Sequence, residues 1–94
     1  KVPAAQAQRM GMVYQVFPEE RYEGEVAALA LRMAQMPTKG LALTKRALNA
    51  AATNDLNTQL DLEEALQTKA GKTYDFNEGV QAFLEKREPV FKGK

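Results

Sequence analysis

Residues Ala28–Ala51 read ALALRMAQMPTKGLALTKRALNAA. Upstream of Pro37, the residues Tyr22, Val26, Leu29, Ala30 and Met33 recur at helical spacing as far as Met36. Proline inside a helix removes a hydrogen bond and clashes with the preceding turn, so the pattern ends there. Thr38 then stands where a cap is wanted. Beyond it, Leu41, Lys45, Leu48 and Ala52 follow one side of a second helix, and Leu43, Ala47 and Ala50 make another side apolar. Two helices joined at a proline break set the fold class as mostly α.

Toward the C-terminus, Thr53-Asn54 interrupts the second pattern and a further helix starts at Asp55. It carries Leu56, Leu60, Leu66 and Ala70, with Leu62 and Ala65 off that stripe, and Gly71 closes it. Asp75-Phe76-Asn77-Glu78 reads as a capping box, Asp75 accepting from a backbone N–H and Glu78 reaching back. The last helix sets Phe76, Val80, Phe83 and Leu84 on one side and stops at Glu88-Pro89, because a residue before proline avoids the α region.

Toward the N-terminus, Pro3 suits a first helical turn, Ala4 to Met10 are good helix formers, and Gly11 can close the helix in a left-handed conformation. Met12-Val13-Tyr14-Gln15-Val16-Phe17 is the one β-like stretch, ended by Pro18. It is expected as a short strand whose partners come from another segment or another chain. Glu19 and Glu20 then place negative charge at a helix start. The expected architecture is four to five helices and one short strand in a single region. Residues 1–17 form a helix plus the strand, and residues 18–94 are helical.

Composition agrees. Fifteen alanines and ten leucines stand against six valines and no isoleucine among 94 residues, a balance that favours helix over strand. The net charge is +1, with acids and bases interleaved. That is too balanced for a protein that neutralises many phosphates, so nucleic acid is not an expected partner. With no cysteine or histidine, these residues hold no disulfide framework, no Cys/His metal cluster and no Cys/His or Ser/His catalytic pair. No apolar run nears the roughly 20 residues that span a bilayer, so a membrane is not expected either. The missing cysteine suits a reducing cytoplasm, which is the expected setting. The chain begins at Lys1 inside an Ala/Gln-rich helical pattern, from which a piece of a longer chain is expected.

The order of motifs then becomes informative. PAAQAQRMGMVYQVFPEE (Pro3–Glu20), the Ala28–Ala51 stretch and EGVQAFLEKREPVFKG (Glu78–Gly93) together resemble the C-terminal third of the enoyl-CoA hydratase/isomerase, or crotonase, superfamily. The resemblance is carried by an A-x-x-A-x-x-x-G-[LM]-V run ending at Val13, the proline after a paired-alanine helix, Thr44-Lys45-Arg46, and E-G-x-x-A-F-L-E-K-R. Within that superfamily, Thr53–Val80 is especially similar to the ring-1,2-epoxyphenylacetyl-CoA isomerases of phenylacetate degradation. The resemblance implies a fold in which a spiral of β-β-α turns precedes a helical trimerisation region. The spiral carries the oxyanion hole and the acidic residues for proton transfer, and it lies outside these residues. The helical region covers the acyl pocket and helps hold the nucleotide end of coenzyme A across a subunit boundary. Trimers, often paired into hexamers, are implied as the assembly. An acyl-CoA ester is the implied ligand, with no covalently bound cofactor.

Residue by residue, the resemblance assigns coenzyme A contact to Phe83 and Lys86, with Arg87 beside them. On a helix Phe83 and Lys86 share a face, and an aromatic surface plus a cation suits an adenine beside a phosphate. A base–aromatic stack contributes about 1–3 kcal/mol, and an exposed ion pair roughly 0–1 kcal/mol. The aromatic is therefore expected to supply affinity and the lysine orientation. The other reading of the same residues makes Phe83 core and lets Lys86 and Arg87 complement the helix dipole. Glu88 departs from the basic residue frequent in the family, which weakens a strongly cationic patch. Asp61, Glu63 and Glu64 read as polar helix sides, Thr44-Lys45-Arg46 as a solvated face, Phe91 as a docking anchor for the tail or a trimer contact, and Met33 and Met36 as adaptable packing residues.

The functional expectation is the assembly, lid and coenzyme A-contact region of an acyl-CoA isomerase or hydratase of phenylacetate or fatty-acyl-CoA catabolism, inactive by itself. A helical oligomerisation module without a ligand is the alternative, and a stand-alone acyl-CoA-binding bundle is a third.

Overall fold

The computed structural model describes all residues, Lys1–Lys94. Five helices follow one another: α1 (Ala4–Arg9), α2 (Glu19–Ala34), α3 (Thr38–Ala51), α4 (Leu56–Gly71) and α5 (Tyr74–Glu85). The mostly α expectation holds, and the breaks fall at Gly11, Pro37, Thr53-Asn54 and Gly71 as the sequence foretells.

The expected strand does not form. Met12–Phe17 runs as turn and irregular backbone. Its composition favours an extended chain, but a strand exists only when its N–H and C=O groups meet a second strand. None of the five elements is a strand.

By packing, the chain forms two compact units, Lys1–Leu31 and Arg32–Lys94. In the first, Gly11 closes α1 at φ 74. The N–H of Met12 bonds to the carbonyl of Ala7 at 2.9 Å, and the N–H of Gly11 to that of Gln8 at 3.0 Å. These are the two bonds of a Schellman motif, with glycine at its left-handed position. Glu19 and Glu20 fill the first turn of α2, where the helix dipole favours acids.

In the second unit α3 packs on α4, and α4 on α5. The anticipated cap at Thr38 is absent. Pro37 takes the cap position without a side-chain bond, and Thr38 is already the first helical residue of α3. Asp55 does cap α4, accepting from the Thr58 N–H at 2.8 Å. That bond to the charged form, together with the Thr58 side chain, holds the Asp55 carboxyl below its ordinary range. Gln59 ties the α3–α4 hairpin, donating to the Ala47 carbonyl at 3.1 Å and accepting from Asn54 at 3.1 Å.

Little apolar surface is buried. Leu66 and Ala82 are the only buried apolar residues. Helices α1, α2 and α3 bury none of theirs. Met33 and Met36, expected to pack, are exposed, as are Leu48, Leu56 and Leu84. Covering one such side chain fully is worth about 1.5–3 kcal/mol. The helical stripes are real, but the surface that would cover them is not supplied by these residues.

Candidate functional site

The site predicted from sequence lies at the end of α5 and in the tail that follows it. Helix α5 begins one residue before the expected cap. Thr73, not Asp75, is the N-cap: its hydroxyl accepts from the Phe76 N–H at 3.1 Å and donates to the Ala70 carbonyl at 2.6 Å. The capping box read at Asp75–Glu78 is therefore corrected. Asp75 sits inside the first turn, 2% exposed. Its carboxylate accepts from the backbone N–H groups of Lys92 at 2.6 Å and Gly93 at 2.8 Å, while its own N–H donates to the Lys94 carbonyl at 3.0 Å. Lys92 also places its ammonium 4.5 Å from the centre of the Tyr74 ring, within cation–π range.

Glu78, one turn further along, does not reach back either. Its carboxylate accepts Arg87 Nη1 at 2.6 Å and Nη2 at 3.0 Å, and the Val90 N–H at 2.9 Å. Hydrogen bonding from Arg87, then from Val90, holds the Glu78 carboxyl at about 2. Hydrogen bonds to Glu78, then to Glu85, push the Arg87 guanidinium above its ordinary range. Two carboxylates on α5 thus take the N–H groups of Val90, Lys92 and Gly93. The tail folds back along the helix, and Phe91, half-buried, faces Gly79, where an added Cβ would lie 3.7 Å from the ring.

The three predicted contact residues have different fates. Phe83 is 82% exposed, so it is not part of a core formed by these residues. Lys86 is not on the helix at all: α5 ends at Glu85, and Lys86 follows in the left-handed conformation at φ 54. The shared-face spacing of Phe83 and Lys86 presupposed a continuing helix, and the helix stops short of Lys86. Arg87 is engaged by Glu78 and Glu85, the latter at 2.6 Å from Nε. Lys86 takes part in none of the chain's three ion pairs.

Phe83 borders a cleft of about 440 Å³ between the start of α3, the end of α4 and α5, with Pro37, Gly40, Ala70, Val80 and Phe91 among its walls. That size falls in the range of small-ligand sites, and the lining is mostly apolar. Phe91 anchors the tail against α5 as expected, whereas sequence reasoning missed that Asp75 holds the tail rather than capping the helix. An Asp-x-x-Glu spacing looks like a cap locally, whereas the groups Asp75 binds are 17 and 18 residues away.

The model of the family described as enoyl-CoA hydratase/isomerase matches residues 1–94. The chain belongs to that family. It corresponds to the C-terminal portion of the crotonase superfamily. It is 48% identical to the 1,2-epoxyphenylacetyl-CoA isomerase of Escherichia coli K12 over 94 residues, all of this chain and 36% of that protein. It is 38% identical to the 2,3-dehydroadipyl-CoA hydratase of the same organism over 93 residues, 99% of this chain and 36% of that one. The crystal structure of an enoyl-CoA hydratase from Geobacillus kaustophilus superposes with a TM-score of 0.90 at 30% identity, covering 99% of this chain and 35% of that one. The chain thus spans about a third of the length of the curated relatives it matches. None of its helices is long and apolar enough to cross a membrane.

Proposed function

We propose that these residues form the assembly, lid and coenzyme A-contact region of a crotonase-type acyl-CoA isomerase or hydratase. Residues 18–94 are the assembly and lid segment, and Phe83 and Lys86 meet the nucleotide end of the ligand. The parent chemistry is proton transfer beside a thioester, with the enolate-like oxygen stabilised by backbone donors outside this chain. The activity for which the 48% identical relative is named favours a ring-epoxide acyl-CoA of phenylacetate catabolism, with fatty-acyl-CoA esters as the broader class.

One observation carries the ligand reading. Lys86 occupies, at φ 54, the same left-handed position that Gly11 fills after α1. A non-glycine residue there is strained, and such strain is concentrated at functional positions. The lysine keeps an ammonium outside the ion pairs, three residues after a phenylalanine that is 82% exposed. Titrating coenzyme A into the intact protein tests this. Phe83→Ala and Lys86→Ala should each weaken binding, and an unchanged Kd in both would overturn the assignment.

By itself the 94-residue chain should not turn over crotonyl-CoA or a ring-epoxide CoA ester. Turnover at rates of the intact enzyme would refute its role as an accessory region. The alternative, an oligomerisation module with no ligand, is favoured by the exposed Leu48, Leu56 and Leu84. Sedimentation of the intact protein separates the readings: self-association with no coenzyme A binding would favour the module.

A further inference from the structure

The turn that carries Lys86 is held on its far side by one carboxylate. Glu78 Oε1 receives Arg87 Nη1 at 2.6 Å and the Val90 N–H at 2.9 Å, and Oε2 receives Arg87 Nη2 at 3.0 Å. Arg87 Nε reaches back to Glu85 at 2.6 Å, and Nη1 also donates to the Glu88 carbonyl at 3.2 Å. The residues that follow Lys86, Arg87 and Val90, are thereby fixed to the body of α5. The Glu78 side chain is only 11% exposed, against 41% for Arg87.

Two consequences follow. Strained backbone persists only where its surroundings over-determine it. The helix-end bonds, Lys86 N–H to Phe83 at 3.3 Å and Arg87 N–H to Ala82 at 3.0 Å, recur with glycine after α1 and do not by themselves call for a lysine. The Glu78–Arg87 clamp adds the missing constraint. Arg87, moreover, spends four of a guanidinium's five N–H donors within the protein. Flanked by two carboxylates, it carries no spare charge for a phosphate.

We propose that Glu78 is a positioning residue for anion recognition. It retains Arg87 as an internal counter-ion and braces the turn so that Lys86 alone presents a cation to the ligand's phosphate. This rests on the coenzyme A reading above and deepens it.

The experiment uses the intact protein, with isothermal titration of coenzyme A and of dephospho-coenzyme A, which lacks the 3′-phosphate. Lys86→Ala should weaken coenzyme A about five-fold, the scale of one exposed ion pair, and leave dephospho-coenzyme A nearly unchanged. Glu78→Gln should reduce the preference for coenzyme A by a similar factor, and the Glu78→Gln/Lys86→Ala double variant should lose no more than either single one. A merely structural residue would not move the preference between the two ligands. If Glu78→Gln does not fold, Glu78→Asp keeps the charge but is too short to span both Arg87 and Val90, and should show the same loss of preference. If Lys86→Ala removes the preference while both Glu78 variants keep it, the positioning role is overturned and the coenzyme A reading stands. If Lys86→Ala changes neither ligand, the coenzyme A reading itself falls. If Arg87→Gln removes the preference more completely than Lys86→Ala, Arg87 is the ligand cation and the proposal is wrong.

Discussion

Arg87 lies across the carboxylate of Glu78, with Nη1 2.6 Å from one oxygen and Nη2 3.0 Å from the other. A two-point pair of this kind is geometrically selective as well as attractive. It joins the middle of α5 to the residue just past the left-handed turn.

The pair makes the tail acid-sensitive. The Glu78 carboxyl is moved from 4.5 to about 2 by its bonds from Arg87 and Val90. A folded pKa below the unfolded one means stability that is fully present above about 4.5 and lost as pH falls toward 2. The stability of the intact protein should therefore decline across that window, and less steeply in Glu78→Gln. Carboxyl NMR titration checks it directly: a Glu78 midpoint near 4.5 in the folded protein would rule the pair out as a thermodynamic link. Added salt should blunt the effect, because Arg87 is substantially solvent-accessible.

Gly79 and Gly93 should answer the same mutation with opposite signs. A Cβ at Gly79, inside α5, would make ordinary contact with Phe91 at 3.7 Å. Gly79→Ala should stabilise by up to about 1 kcal/mol through helix propensity. A Cβ at Gly93 would come within 2.6 Å of Thr38 Oγ1, on backbone at φ 71. Gly93→Ala should cost about 1–2 kcal/mol. Thr38→Ala should recover only the steric part. Denaturant unfolding of the variants decides it, and equal signs would show that the tail does not lie against Gly79 and Thr38.

The helices were legible in the sequence because their determinants are local. Pro37, Asp55 and Gly71 act on neighbouring residues, and the apolar stripes repeat every turn. What failed was non-local. Met12–Phe17 has strand composition, but strand formation depends on a partner that no local pattern supplies. Asp75 resembles a cap, yet its partners are Lys92 and Gly93 near the far end of the tail. The stripe of Phe76, Val80, Phe83 and Leu84 does share one face, bordering a single cleft. Periodicity cannot tell a face buried within the chain from one presented outward, and these four are exposed. Lys86 stands out in the sequence through its motif, whereas its left-handed backbone has no signature in a lysine.

Removing the Asp75 carboxylate should release the tail without unwinding α5. Thr73 caps the helix, so Asp75→Ala leaves that bond intact while orphaning the N–H groups of Lys92 and Gly93. Losing one partner of a buried hydrogen bond costs about 1–3 kcal/mol. Hydrogen exchange at Val90–Gly93 should accelerate, and exchange within Val80–Leu84 should not. Uniform acceleration in both stretches would mean that Asp75 supports the helix itself.

Lys86→Gly separates stability from recognition most sharply. Glycine adopts a positive φ without the penalty of a side chain, so the substitution should stabilise the folded chain by about 1 kcal/mol. It also removes the ammonium, so coenzyme A should bind more weakly to a more stable protein. Denaturant unfolding and coenzyme A titration on the same preparation give both readings. If Lys86→Gly binds coenzyme A as tightly as the parent, the lysine is held in a strained conformation for no ligand. If it instead destabilises the fold, the left-handed backbone at residue 86 carries no strain that glycine could relieve, and the functional reading loses its footing in the backbone.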